Sequence, residues 1–280
     1  MIEVILDKSI IHDYGNIYNK THRILTNILQ NENHVFIINQ ELIKYFEENV
    51  QSSYLDSWKT LFTYLSDTNQ FISSQTNTLD SESIFLENLK KYDFSIILAN
   101  NVSPSLHKDR CELQSTHVSD TLFLELLQFS QMSFRYSNFG NDDEIDNLFE
   151  KVLHCSKSAQ KIIIIARYGI SNCKLIQCLK SKHNNKEYWT TKKKNFPSIE
   201  PTNDISYLRT HLGQNLQFLC GHPSDIHERK IIIGNLILEM DEDFDKINTS
   251  YKTWLCHCLV NQKIANSLTS KRSALRHFSI

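Results

Sequence analysis

Residues 223–245, PSDIHERKIIIGNLILEMDEDFD, decide how the second half of this 280-residue chain is read. Two apolar runs, Lys230–Ile233 and Leu236–Met240, flank Gly234 and Asn235. A Gly-Asn linker between such runs predicts a β-hairpin, because both residue types tolerate the positive φ of a primed turn. Side chains alternate across a strand, so His227, Arg229, Ile231 and Ile233 share one face, and Glu228, Lys230 and Ile232 the other. A His and an Arg on one face can converge on a phosphate. The guanidinium supplies a bidentate clamp, and a neutral imidazole acts as nucleophile or base. The same pair is also an ordinary polar entry to a strand.

The whole chain bounds the alternatives. Hydrophobic residues make up 40% and the net charge is −2, which predicts a globular protein with real cores and excludes a disordered chain. That balance gives no overall nucleic-acid footprint, so any such surface is local. There are six glycines and no GxGxxG or GxxxxGK[ST], which excludes the dinucleotide-binding and P-loop readings. The start, MIEVILDKSI, has neither a basic nor a long apolar signal segment, and no apolar run approaches the ~20 residues of a membrane span. Seven scattered cysteines fit reduced thiols better than a disulfide framework. A cytoplasmic protein is expected.

Read in order, the first half alternates strand and helix patterns. Ile2–Leu6, His34–Ile38 and Phe94–Ala99 are apolar strands, and residues at helical spacing fill the intervals. Such alternation predicts an α/β domain with a parallel sheet. Val118–Met132 and Asp142–His154 read as helices, the latter with acids in its first turn, as the macrodipole favours. The Gly-containing stretch Tyr136–Asn141 marks a boundary, giving domains 1–135 and 136–280. Ile162–Ile165 and Leu216–Leu219 are strands, and Lys182–Asn195 reads as a polar, basic loop. Asn248–Leu268 reads as an amphipathic helix and Lys271–His277 as a basic tail.

The first half resembles a PIN-type nuclease domain, through the order of its elements over roughly residues 2–101. That family gathers acids at the carboxyl ends of parallel strands to hold a divalent metal that activates water. The resemblance implies Asp7 as the first acid and Asp80, or Glu82, as another, with Mg²⁺ or Mn²⁺ as the cofactor. Tyr45 falls where a second acid is expected, and Asn100 and Asn101 follow the strand FSIILA where another is usual. A PIN-like but degenerate module is expected.

The second half, over roughly residues 159–245, resembles the phospholipase-D-like fold in the single-copy form found at the C-terminus of MIT-domain proteins. The strand IIIIARYG, the helix after it and the stretch DIHERKIIIGNLILEMDEDFD carry the likeness. In active members two His-x-Lys motifs meet: one His attacks phosphorus and the other protonates the leaving oxygen. The resemblance places His227 at the His and Arg229 at the Lys, while the acid position falls on Gly234. One motif per chain implies a homodimer, or a substitute imidazole such as His222 or His211.

Other clusters carry alternatives. Lys192, Lys193 and Lys194 beside Tyr188 and Trp189 could hold a nucleic-acid backbone and stack a base, or form a solvated loop. Cys220, His222, Cys256 and Cys258 have spacings tighter than zinc sites use. The two family resemblances together imply a bacterial, nucleic-acid-directed protein of phage-defence or toxin-like kind. It would bind, and in the catalytic reading cleave, RNA or DNA, in the defence setting alongside a protein partner. The alternative is a non-catalytic adaptor whose His-x-Arg hairpin recognises an anionic or protein partner.

Overall fold

The computed structural model describes residues 1–88, 94–100, 109–156, 161–166, 170, 173–179, 185–191, 201–222, 224, 226–242, 244 and 253–277. The chain forms two compact units, Met1–Gln131 and Met132–Ile280. The first runs β1 (Ile2–Leu6), α1 (Lys20–Leu29), β2 (His34–Ile38), α2 (Gln40–Asn49), α3 (Ser52–Asp67), β3 (Phe71–Ser73), α4 (Ser81–Asn88), β4 (Ser95–Ala99), β5 (Arg110–Glu112) and α5 (Val118–Phe129). Its five strands lie in the order β3-β2-β1-β4-β5, and every pairing is parallel. All residues of β1, β2 and β4 are buried. That is why these strands read as unbroken apolar runs and not as alternating ones. The polar residues inside them are matched locally: Ser95 donates to Glu3 Oε2 across the β1–β4 pair at 2.6 Å, and His34 Nδ1 lies 3.0 Å from the Ile28 carbonyl.

The second unit runs β6 (Gln131–Arg135), α6 (Asp142–His154), β7 (Ile162–Ile165), α7 (Lys174–Cys178), β8 (Lys186–Thr191), α8 (Pro201–Leu212), β9 (Gln217–Gly221), β10 (Lys230–Ile233), β11 (Leu236–Met240), β12 (Leu255–Val260), α9 (Gln262–Ser270) and β13 (Arg276–His277). Its eight-stranded sheet has the order β13-β9-β8-β7-β10-β11-β12-β6. Strands β7, β8 and β9 are mutually parallel, while β10, β11 and β12 form an antiparallel meander on β7. The α/β reading, with one parallel and one mixed sheet, holds.

The hairpin expected from the Gly-Asn linker is β10–β11, with Ile233 opposite Leu236. Of the two linker residues, only Gly234 takes a positive φ, at 59°. A glycine at the first central position with its neighbour at negative φ is the II′ pattern, whose twist matches the flanking strands.

Three expectations change. The boundary lies at Gln131/Met132 rather than after residue 135, because Gln131–Arg135 is an edge strand of the second sheet. Met132 and Phe134 are buried while Gln131, Ser133 and Arg135 are exposed, a period of two that needs a sheet beneath it. Of the helix expected over Asn248–Leu268, residues 248–252 lie outside the described ones, and the rest holds β12 followed by α9, separated by Asn261, whose side chain caps α9 by accepting from the Ile264 amide. Cys256 and Cys258 therefore share a strand face instead of facing apart. Both are fully buried, and burial pushes both thiols up. No disulfide joins any of the seven cysteines. Among the described residues no helix is long and apolar enough to cross a membrane.

Candidate functional site

In open α/β sheets, ligands bind outside the carboxyl ends of the strands, where the strand order reverses direction. In the first unit that point lies between β1 and β4. Asp7 stands there, directly after β1, and both carboxylate oxygens are engaged. Oδ1 accepts from the Ser9 amide at 2.9 Å, capping the 3-10 turn Lys8–His12, and Oδ2 accepts from Ser81 Oγ at 2.6 Å. Asn39, directly after β2, is likewise committed. Its Oδ1 caps α2 through the Leu42 amide, and its Nδ2 donates to the carbonyls of Thr76 and Thr78.

Asp80 precedes α4 and accepts from the amide and hydroxyl of Ser83. The Ser83 hydroxyl, above all, holds its carboxyl below the ordinary range. A hard divalent ion needs several converging oxygens. Here Asp7 and Asp80 serve two different helix starts, and among the described residues no group of three His, Cys, Asp or Glu side chains is placed to hold a metal. These residues do not fit the Mg²⁺ or Mn²⁺ site that the PIN resemblance implies, and no step is derived through one.

In the second unit, the parallel strands β7, β8 and β9 end at the same side as the start of the antiparallel β10. His227 and Arg229 occur there, just ahead of β10. His227 is exposed, and no described residue makes a hydrogen bond to it. Arg229 is half-buried. Its carbonyl accepts from the Met240 amide, which continues the hairpin ladder, and its Nη1 donates to the Asp241 carbonyl at 3.4 Å. The guanidinium is thereby steadied by backbone.

His222 follows β9 at this same end. It is exposed, and its Nδ1 lies 2.7 Å from the Ser224 hydroxyl and 3.2 Å from the Ser224 amide nitrogen. The strand axes of β9 and β10 are three spacings apart, roughly 14 Å, and residues 222–229 connect them. His211 lies in the last turn of α8, before β9 begins, so it is at the opposite end of the sheet from His227. Its ring packs on Tyr207 at 4.4 Å, and it is no partner for His227.

Gly234 is at the far end of β10 from His227. Four strand rises, about 13 Å, separate it from Lys230. An acid there would not reach an anion held by His227 and Arg229, so glycine at that position removes no direct contact. It supplies the positive φ of the turn.

The basic, aromatic stretch is resolved differently from expectation. Lys192, Lys193 and Lys194 lie outside the described residues. Trp189 is not in a loop: it is the fourth residue of β8, 1% exposed, and its Nε1 donates to Glu187 Oε2 at 2.9 Å. A ring so enclosed cannot stack a base. Polar letters in KEYWTT masked a strand that is buried except at the half-buried Thr190, because each charge in it has a partner. Lys186 Nζ donates to the Leu212 carbonyl at the end of α8, at 2.8 Å. Glu187 receives Lys161 at 2.5 Å and Arg272 at 2.8 Å.

No family model matches the chain, and no curated protein matches it. Solved structures similar in part are found. One is a phospholipase D family member, Nuc from Salmonella typhimurium, at 13% identity and TM-score 0.34, over 44% of this chain and 84% of that one. Another is NucT from Helicobacter pylori, at 12% identity and TM-score 0.36, over 53% of this chain and 98% of that one. A third is polyphosphate kinase from Porphyromonas gingivalis, at 12% identity and TM-score 0.38, over 76% of this chain and 34% of that one.

Proposed function

We propose that the second unit recognises the phosphodiester backbone of a nucleic acid at the carboxyl end of its parallel strands, and that the chain is a nucleic-acid-directed protein of phospholipase-D-like type. One observation carries the reading: an exposed imidazole, His227, stands two residues from a backbone-steadied guanidinium, Arg229, at the sheet end where α/β folds place ligands. Arg229 supplies the charge and fork geometry for non-bridging phosphate oxygens.

In the catalytic form of this reading, a ring nitrogen of His227 attacks phosphorus and forms a P–N bond as the P–O bond to the leaving sugar oxygen breaks. That oxygen takes its proton from a second imidazole. An imidazolium fills that role and is left neutral: His227 of a second copy, or His222 when both its ring nitrogens carry protons. Water then hydrolyses the P–N bond and releases the phosphate. A non-catalytic adaptor is the second reading, favoured by the absence of any described residue in hydrogen contact with His227.

The test uses the full chain with labelled single-stranded RNA and DNA, followed by fluorescence anisotropy and by gel. Saturable binding that weakens in Arg229→Ala supports the proposal. Cleavage that survives EDTA and disappears in both His227→Ala and His222→Ala supports the one-chain catalytic form; loss in His227→Ala alone, with a dimer in solution, supports the two-copy form. Binding without turnover leaves the adaptor. Wild-type protein that binds neither nucleic acid overturns the proposal.

A further inference from the structure

The segment after α9 read as a basic tail is built into the second unit as a strap. A 3-10 turn, Lys271–Ala274, leads to Leu275 and then to β13, which pairs antiparallel with β9, Arg276 opposite Cys220. Three contacts fix it. Arg272 donates from Nε and Nη2 to Glu187 Oε1, each at 2.8 Å, and Glu187 is 1% exposed. Leu275 enters the core cluster that contains Trp189, Leu219 and Ile226. Lys271 Nζ donates to Glu228 Oε1 at 3.0 Å.

Glu228 is the residue between His227 and Arg229. We propose that the strap positions the His227–Arg229 segment from behind, with Lys271 as a positioning residue acting through Glu228; this rests on the phosphodiester-binding reading of that segment. Glu228 lies just ahead of β10, and continuing that strand's alternation puts it on the side opposite His227 and Arg229, so that Lys271 grips the segment without entering the site. Glu228 Oε2 is enclosed and finds no donor. Lys271 is thus the cation that makes this partly enclosed carboxylate tolerable.

A second contact ties the strap to the same segment. Gly221 ends β9, and a Cβ built on it would come 2.5 Å from Leu275 Cδ2 and 3.1 Å from Ile226 Cδ1. The strap, the site segment and the end of β9 therefore close on one another at a position with no room for a side chain. Ile226 directly precedes His227, so the segment is held on both sides of the imidazole, by Ile226 before it and Glu228 after it.

Positioning and plain electrostatics make opposite forecasts for one variant, and that decides the matter. Glu228→Gln in the full chain removes a negative charge beside an anion site. If Lys271 and Glu228 contribute charge alone, this variant binds labelled single-stranded DNA more tightly. If they position the segment, it binds more weakly, on the order of fivefold, as does Lys271→Met, and Lys271→Arg restores binding. Amide hydrogen exchange over Ile226–Lys230 should quicken in Glu228→Gln and Lys271→Met and return to the wild-type rate in Lys271→Arg. Tighter binding by Glu228→Gln, or unchanged exchange in both variants, overturns the strap. Wild-type protein that fails to bind DNA or RNA sinks the functional reading instead, and the exchange experiment still tests the strap. If Lys271→Met does not fold, Glu228→Gln carries the test.

Discussion

Asp7 in the first unit and His227 in the second occupy comparable places. Each stands beside a central strand of its sheet, at the end where parallel strands finish. Asp7 has both oxygens bound by its own chain, one capping a turn and the other meeting Ser81. Asn39 and Asp80 are turned into helix starts in the same way. His227 is exposed and makes no such bond to a described residue, and Arg229 beside it is steadied by the Asp241 carbonyl without being enclosed. The contrast shows that polar residues at a sheet's carboxyl end do not by themselves make a site. What separates the two is where the polar atoms of the side chains are already committed. In the first unit they satisfy helix N-termini, which otherwise leave orphan amides; in the second the work of holding the segment falls to residues behind it.

That contrast can be broken in several ways, the strongest of which concerns the support of the second unit. Glu187→Ala removes the buried carboxylate that Trp189 and the partly exposed Lys161 and Arg272 share, and should cost about 3 kcal/mol of stability. Urea denaturation followed through exchange of β8 and β9 amides measures it. A loss below about 1 kcal/mol would mean that the strap is not anchored there.

A pH titration separates the units next. Burial pushes the His34 imidazole in the first unit down to about 4, from an ordinary 6.5. The unfolded chain binds the proton first, so this stability is fully present above pH 6.5 and is lost as pH falls from 6.5 toward 4, roughly 3 kcal/mol in all. For Glu187 in the second unit, burial acts to raise the carboxyl, but bonds from Lys161, Trp189 and Arg272 outweigh it and the net shift is downward. Its contribution persists to lower pH and is lost only as pH drops below the ordinary carboxylate value. Hydrogen exchange at stepped pH should therefore loosen the first unit's strands β1 and β2 before strand β8 of the second. His34→Gln should flatten the first unit's response; simultaneous loosening of both units in wild-type protein would contradict the assignment.

Two substitutions then set the ends of the sheets directly against each other. Arg229→Ala should weaken nucleic-acid binding by about 2 kcal/mol, roughly 30-fold, with little change in melting temperature. Asp7→Ala should do the reverse: about 1 kcal/mol of stability lost with its cap, and no change in binding. Binding that falls in Asp7→Ala at constant stability would make the first unit's sheet end a site after all.

Much of this architecture is legible in local patterns. The alternation of strands and helices, the helix from Asp142 with acids in its first turn and the β10–β11 hairpin follow from periodicity, turn chemistry and charge near helix starts, each a matter of neighbours within a few residues. The strand β8 was hidden because its charges argue for a loop. Burial of Lys186 and Glu187 is tolerable only once Leu212, Lys161 and Arg272 are in place, and Arg272 lies 85 residues from Glu187. Cys256 and Cys258 look helical in sequence for a related reason: a short apolar stretch running into α9 carries no period of its own until β11 pairs with it.

The sequence by itself determined the two α/β halves, the hairpin with glycine at its turn, and the nearness of His227 to Arg229. Only the tertiary structure decided that His222 shares an end of the sheet with His227 and His211 does not, that Trp189 is core, that Asp7 and Asp80 are caps, and that the basic tail is a strap. The physical reason is range. Backbone geometry and side-chain alternation are set by adjacent residues, whereas burial, charge compensation and the choice of sheet end depend on which distant strands come to lie together.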